Sequence, residues 1–291
     1  MKISFFRIWS LVLFITLTVS CSKEDDTTQE EEQYLEEKIM LNVSYGSHPQ
    51  QVYDLYLPAG RSSQTTKIMM IIHGGGWTEG DKNDMNTVVN AIRESHPQYA
   101  VVNVNYILAT LEQPAFPNQF LDIKTIIQKL TSEKEEHQIK PEFGLIGASA
   151  GGHIALMYDY VYDSGNQVKF VANIVGPTDF TDPFFTDQPG MELVLMLLTD
   201  IDAYPPGVNL FEALSPAYQV SASSSPTCSF MGISDPLVPV SNGHTLHQKL
   251  LDKGIHSVLR TYEGGHADNW SQTDVLDMHL TISDFAQMYL P

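Results

Sequence analysis

Cysteine is nearly absent. The 291 residues hold two, Cys21 and Cys228, so no network of disulfides braces the chain. Positive charge is also scarce. Lys and Arg number 16 against 35 Asp and Glu, a formal charge of −19. Residues 1–20 contain Lys2 and Arg7 and no acid, so the chain beyond them carries −21, from 14 basic and 35 acidic residues. Such a surface repels nucleic acid and polyanionic substrates, and no nucleic-acid partner is expected. No internal repeat is evident. No glycine loop carries the Lys-Ser/Thr pair that nucleotide phosphates need. His244-x-x-His247 has a spacing that some metal sites use, yet no third ligand lies near it, and one helix face explains both. No metal and no cofactor are expected.

What the chain does have is a set of short motifs in a telling order. Gly147-Ala148-Ser149-Ala150-Gly151 follows the apolar run Glu142-Phe143-Gly144-Leu145-Ile146 and precedes the helix-like His153-Ile154-Ala155-Leu156-Met157-Tyr158. A strand, Gly-x-Ser-x-Gly and a helix make the sharp turn that exposes a nucleophilic serine above a sheet. Upstream, His73-Gly74-Gly75-Gly76-Trp77 follows the strand-like Lys67-Ile68-Met69-Met70-Ile71-Ile72. Bare glycine N–H groups there can point at an oxygen that becomes negative as the serine attacks a carbonyl. The expected donors are the N–H groups of Gly75, Gly76 and Ala150, and Trp77 is expected to line the substrate pocket.

The general base must be a histidine. His266, in Glu263-Gly264-Gly265-His266, directly follows the strand-like Ser257-Val258-Leu259-Arg260-Thr261-Tyr262. A loop at a strand end can bring an imidazole to the serine. The acid is expected between serine and histidine in chain order. Asp235 fits best, after the strand-like Thr227-Cys228-Ser229-Phe230-Met231-Gly232, with Asp200, Asp202 and Asp268 as alternatives. Cys228 itself reads as a small core residue.

These motifs, with Asp54-Leu55-Tyr56-Leu57-Pro58 and Asn105-Tyr106, resemble those of the α/β-hydrolase esterase family. The similarity is to the group that includes hormone-sensitive-lipase-like carboxylesterases and bacterial feruloyl and acetyl esterases, and it runs from about Leu41 to the C-terminus. It implies a serine esterase working through Ser149, His266 and Asp235, with ester substrates of small-molecule or glycan type. Two places depart from the family pattern: Tyr106-Ile107-Leu108 stands where relatives often have Tyr-Arg-Leu, and Met231-Gly232 where they often have His-Gly. The same triad also serves serine peptidases and amidases, and a binding protein on an inactive hydrolase fold is the non-enzymatic alternative.

Alternating elements point to an α/β domain with a mostly parallel, doubly covered sheet. Strands are expected at Val52–Leu57, Lys67–Ile72, Tyr99–Asn105, Glu142–Ile146, Phe170–Val175, Thr227–Met231 and Ser257–Tyr262. Helices are expected at Phe120–His137, Ser241–Leu251 and Thr273–Tyr289. In the first of these, Leu121, Ile123, Ile126, Ile127 and Leu130 form one apolar face. Residues 178–218, rich in Phe, Pro, Met and Leu, interrupt the alternation and are expected to form a small cap that shapes the pocket.

Residues 1–20 read as a signal peptide: Lys2 and Arg7, then an uncharged apolar stretch too short to span a membrane comfortably. Leu17-Thr18-Val19-Ser20-Cys21 resembles the lipobox of bacterial lipoproteins, with Cys21 lipidated and anchored in a membrane. Residues 21–38, with Lys23-Glu24-Asp25-Asp26 and Glu30-Glu31-Glu32, read as an acidic disordered tether. Lys followed by acids after the cysteine resembles the surface-export signal of Bacteroidetes lipoproteins. An outer-membrane location follows as the expectation, periplasm-facing or surface-exposed, with the hydrolase domain at 39–291.

Overall fold

The computed structural model describes Tyr34–Pro291. The expected signal peptide at 1–20, Cys21 and most of the expected tether at 21–38 lie outside the described residues. Residues 35–38, expected to be disordered, are held in place. The Leu35 carbonyl accepts the Gly60 N–H at 2.7 Å, Glu37 pairs with Arg93 at 2.6 Å, and Lys38 opens strand β1 (Lys38–Ser44). The composition of residues 35–38 is tether-like, but main-chain and ion-pair contacts hold these four residues against the domain.

Seven more strands complete one sheet: β2 (Val52–Leu57), β3 (Ile68–Ile72), β4 (Ala100–Val104), β5 (Phe143–Ala148), β6 (Val168–Ile174), β7 (Thr227–Gly232) and β8 (Ser257–Tyr262). Their spatial order is β1-β2-β4-β3-β5-β6-β7-β8. The pairs β1–β2 and β2–β4 are antiparallel, and every pair from β4 through β8 is parallel. The central strands lack polar alternation because both faces are covered. In β3 all five residues are buried. Ile68, Met70 and Ile72 enter one core layer, and Met69 and Ile71 the other, as the two-residue side-chain period requires.

The helices are α1 (Asn86–Ser95), α2 (Asn118–Ser132), α3 (Lys134–His137), α4 (Ala150–Met157), α5 (Pro183–Thr186), α6 (Met191–Leu198), α7 (Leu210–Ala213), α8 (Pro216–Gln219), α9 (Val240–Asp252) and α10 (Gln272–Tyr289). Helices α2, α4 and α9 bury residues in the first layer, and α1 and α10 in the second. Residues 178–218 hold α5 to α7 and most of α8, between β6 and β7.

Several expectations need correcting. Strand β1 and helix α1 were not anticipated. Strand β1 is an edge strand with Ile39 and Leu41 exposed, so it shows no clean in–out alternation, and α1 buries only Val89 and Ile92. The helix expected to run unbroken from Phe120 to His137 is two, separated at Glu133, and α3 ends on Gln138 in the left-handed region at φ 53°. Leu121 is exposed rather than on the apolar face. Phe120 takes its place, since 120, 123, 127 and 130 follow helical spacing.

Candidate active site

The site begins at the end of β5. Ser149 has φ 52° and ψ −120°, a conformation that costs a side-chain-bearing residue about 1–3 kcal/mol. It persists because its surroundings determine it. The Ser149 N–H donates to the Ile174 carbonyl at 2.7 Å, and its carbonyl accepts from Gly152 N at 2.9 Å. At Gly147 a β-carbon would lie 2.2 Å from the Gly151 carbonyl oxygen, so only glycine lets the strand and helix close this tightly. Helix α4 starts at Ala150, which leaves the Ala150 N–H unspent at the helix N-terminus.

Three residues far apart in sequence meet here. His266 Nε2 lies 2.8 Å from Ser149 Oγ, and His266 Nδ1 lies 2.7 Å from Asp235 Oδ2. An ionised carboxylate can only accept a hydrogen bond, from Nδ1–H, which leaves the Nε2 lone pair to accept one from the serine hydroxyl. Asp235 Oδ1 also accepts the N–H groups of Leu237 at 2.8 Å and Val238 at 3.0 Å. Burial alone would raise the Asp235 carboxyl; the hydrogen bonds from His266, Val238 and Leu237 outweigh it and hold the group below the ordinary carboxylate range. Asp235 is therefore ionised at neutral pH. His266 takes Asp235 as its partner, not Asp200, Asp202 or Asp268.

The glycine loop faces this group. Gly75, Gly76 and Trp77 have φ of 112°, 55° and 66°, three consecutive left-handed residues of which only two are glycine. A β-carbon on Gly75 would sit 2.1 Å from the Glu79 carbonyl oxygen. The Gly75 carbonyl accepts Thr78 N at 3.1 Å and Glu79 N at 2.9 Å. Gly75 and Gly76 are exposed, and Gly76 lines the cavity that also contains Ser149. Several sequence motifs away from the serine turn out to buttress this loop. Tyr106 Oη donates to the His73 carbonyl at 3.0 Å, and its ring stacks on His73 at 4.3 Å. Asn105 Oδ1 accepts the Lys82 N–H at 2.6 Å, and Lys82 Nζ pairs with Asp54 at 3.0 Å in a buried ion pair. Burial lowers the His73 imidazole below its ordinary range, so it stays neutral beneath the loop.

A cavity of about 290 Å³ opens over Ser149 and His266. Trp77 lines it with Phe180, Phe184, Phe185 and Met191, so its wall is mainly apolar. The phenylalanines and Met191 come from the segment between β6 and β7. A second groove, of about 460 Å³, shares Gly76 and Trp77 with it and is bounded by Leu111, Val194 and Leu197.

Two positions were not read as part of the site. Gln119 is fully buried, and its Nε2 donates to the Trp77 carbonyl at 2.8 Å and the Ile107 carbonyl at 2.9 Å. Its signal was available: a polar residue on the same stripe as Ile123, Ile126 and Leu130. His153, expected to pack beneath the serine turn, is fully buried there and touches Trp77 as well. Among the described residues no cluster of His, Cys, Asp and Glu could hold a metal ion. His247 instead contacts Ser257 Oγ at 2.9 Å. Cys228 is a buried free thiol in β7.

The strand order, the strand-end serine turn and the covered parallel sheet define the class: an α/β-hydrolase. The BD-FAE family model matches residues 53–250. The chain belongs to that family, which is feruloyl-esterase-like, and by family it is a carboxylic ester hydrolase. Solved structures agree on the fold. A truncated carbohydrate esterase from gut microbiota aligns with a TM-score of 0.69 at 19% identity, over 88% of this chain and 98% of that one. A carboxylesterase from Lactobacillus plantarum aligns with 0.69 at 16%, over 87% and 98%. A bifunctional GH43-CE protein from Bacteroides eggerthii aligns with 0.69 at 17%, over 85% of this chain and 35% of that one. Among curated proteins, a non-reducing polyketide synthase of Aspergillus terreus is 25% identical over 198 residues. That match takes in 63% of this chain and spans only 8% of the relative's length.

Proposed function

We propose that the protein hydrolyses carboxylic esters through a serine-bound acyl intermediate. Ser149 Oγ bonds to the ester carbonyl carbon as its proton passes to His266 Nε2. The carbonyl oxygen becomes an oxyanion held by the N–H groups of Gly75, Gly76 and Ala150, each donor being worth roughly 10²–10³ in rate. The carbon–oxygen bond to the alcohol breaks, and the alcohol leaves with the proton from Nε2. Water then repeats the steps: its proton goes to Nε2, the acid departs, and Ser149 regains its hydrogen. Asp235 keeps the imidazole in the required tautomer and stabilises its charged form. The observation that carries this reading is the continuous contact from Asp235 through His266 to Ser149, at 2.7 and 2.8 Å, on a strained serine turn.

The preferred substrates in this proposal are short-acyl esters, acetyl or feruloyl groups on carbohydrates among them. The family supports this, as does a similar structure that is named a carbohydrate esterase. The apolar 290 Å³ cavity suits a compact acyl group. The assay uses the domain from Gln33 onward with 4-nitrophenyl esters of rising chain length. Wild type is expected to turn over the acetyl ester, and Ser149→Ala or His266→Ala to lose about 10⁴–10⁶ in kcat. A folded Ser149→Ala variant with most of its activity would overturn the mechanism.

The location belongs to the same proposal: an outer-membrane lipoprotein held by Cys21, supported by the lipobox-like Leu17–Cys21 and the charge pattern after it. Metabolic labelling with a palmitate analogue is expected to mark wild type and not Cys21→Ser. Label retained by that variant would refute the anchor.

A further inference from the structure

We infer that His153 is a positioning residue for this reaction, holding the Gly75–Trp77 loop in place by accepting a hydrogen bond from the Trp77 indole. The inference rests on the reading of Ser149 as nucleophile and of the glycine loop as oxyanion donor.

The loop poses a specific problem. Three left-handed residues in a row are an arrangement that a chain leaves unless other contacts determine it, and Trp77 at φ 66° has no glycine's freedom. The Trp77 carbonyl is pinned twice, by Ala109 N at 2.9 Å and Gln119 Nε2 at 2.8 Å. Those bonds fix the peptide, and the indole packs against Phe116 and Phe180 with ring centroids 5.5 and 6.1 Å away. Trp77 Nε1 donates to His153 Nδ1 at 3.2 Å, and that bond fixes the side chain.

His153 is built to accept. Its Nε2–H donates to the Leu214 carbonyl at 2.8 Å, so the tautomer leaves a lone pair on Nδ1. The ring is fully buried, with the rings of Trp77, Phe116, Phe120 and Phe180 5.3–5.6 Å away. Burial pushes the imidazole down to about 4, so at assay pH it remains neutral and keeps its acceptor. Its place in the chain matters as much. The His153 N–H donates to the Ser149 carbonyl at 3.2 Å, one helical turn after the serine. The helix that aims Ser149 therefore also carries the group that fixes the opposing donors. Through Leu214 the same ring reaches the segment between α7 and α8, which belongs to the irregular region beside the pocket.

A bond that only stabilised the fold would change the unfolding midpoint and leave turnover per folded molecule alone. A bond that positions oxyanion donors affects kcat, because a displacement of about 1 Å at such a site is worth up to about 10² in rate. The variants are His153→Phe, which keeps an aromatic ring but loses the acceptor and the donor to Leu214, His153→Gln, which retains an acceptor and a donor, and Trp77→Phe, which removes the indole N–H together with the five-membered ring that carries it. The readouts are kcat and KM on 4-nitrophenyl acetate, with circular dichroism to count folded protein. His153→Phe is expected to lower kcat 10- to 100-fold with KM within about threefold, and His153→Gln to recover most of the loss. Trp77→Phe is expected to reproduce the His153→Phe loss, and the double variant to be no worse than either single one. Losses that multiply in the double variant, or a folded His153→Phe with wild-type kcat, would overturn the inference. If His153→Phe does not fold, an unimpaired Trp77→Phe overturns it instead. Ser149→Ala serves as the control: if it stays active, the failure lies with the ester-hydrolysis reading and not with His153.

Discussion

The strand-end loops and the segment at 178–218 contribute to one cavity in opposite ways. Ser149, Asp235 and His266 follow β5, β7 and β8, three parallel strands of one sheet. Their loops are tied to each other and to the sheet: Ser149 N to the Ile174 carbonyl at 2.7 Å, Ile233 N to the Tyr262 carbonyl at 2.9 Å, and Ser234 N to the Gly264 carbonyl at 2.9 Å. The other segment is a series of short helices. Along α6, Leu193, Val194, Met196 and Leu197 are 46–58% exposed, with apolar surface turned outward instead of packed. In the proposed reaction, proton transfer tolerates errors of only a fraction of an ångström, and the residues assigned to it stand at the ends of sheet strands. Choosing an acyl group needs volume and apolar contact, which the wall from 178–218 supplies in the same proposal. Damage to the first region should therefore appear in kcat, and damage to the second in KM and selectivity.

The sharpest way to test that division is Asp235→Asn. The amide offers an N–H where the carboxylate accepts one and favours the wrong imidazole tautomer. A fall of about 10³–10⁴ in kcat is expected, with the fold intact. Kinetics on 4-nitrophenyl acetate beside a thermal melt will decide it, and a loss expressed mainly in KM would break the comparison. Gly75→Ala comes next. Its methyl would meet the Glu79 carbonyl at 2.1 Å on a backbone at φ 112°, so the loop must shift. About 10² in kcat is expected to go with it, and an alanine variant of wild-type turnover would show that the loop donors tolerate displacement.

What could be read from the sequence follows the same line. A serine turn needs glycine at Gly147 and Gly151 whatever the rest of the fold does, so the constraint is local and visible. The same holds for the glycine run before Trp77, and for His266, which directly follows a strand. Asp235 is brought to His266 by the pairing of β7 with β8, yet an Asp-Pro turn could sit on any surface, so chain order had to choose it. The role of Gln119 depended on which face of α2 meets the loop, and that of His153 on where the indole lies. Both are tertiary facts, though a glutamine on an apolar stripe was a hint. Strand β1 was missed because an edge strand with Ile39 and Leu41 exposed has no inside face to produce alternation. The helices at 178–218 are too short to show a period at all, and their role was legible only as an excess of Phe, Pro, Met and Leu.

The framework that holds the strand ends has its own vulnerability, at Asp159. This carboxyl is buried on the turn after α4 (Tyr158–Tyr162), where Ser225 N and Oγ donate to it at 2.9 and 2.8 Å. Burial, only partly offset by these bonds, pushes it up to about 7. A carboxyl whose folded value lies above its unfolded one favours the fold fully below about pH 4 and loses that contribution as pH rises to about 7. The slope is about 1.4 kcal/mol per pH unit between those limits. Asp159→Asn removes the charge and keeps an acceptor. Urea melts are expected to show wild type losing a few kcal/mol relative to the variant between pH 4 and 7. Parallel curves would mean that the carboxylate is solvated in the folded state.

The smallest effect is expected in the looser wall. Phe184 lines the cavity over Ser149 and packs edge-on against Phe185 at 5.2 Å. An apolar ring touches the acyl chain in the ground state and in the transition state alike, so it contributes uniform binding. Truncation to alanine should then raise KM more than it lowers kcat. The contact grows with the acyl chain, so the loss grows with it: about tenfold in kcat/KM for a butyryl ester relative to an acetyl ester, or about 1.4 kcal/mol. The comparison with Asp235→Asn is the informative one, since Phe184 lines the cavity whereas Asp235 reaches it only through His266. Equal falls in kcat for both variants would mean that the wall positions the reacting carbon as well as selecting it, and the division between chemistry and selection would no longer hold.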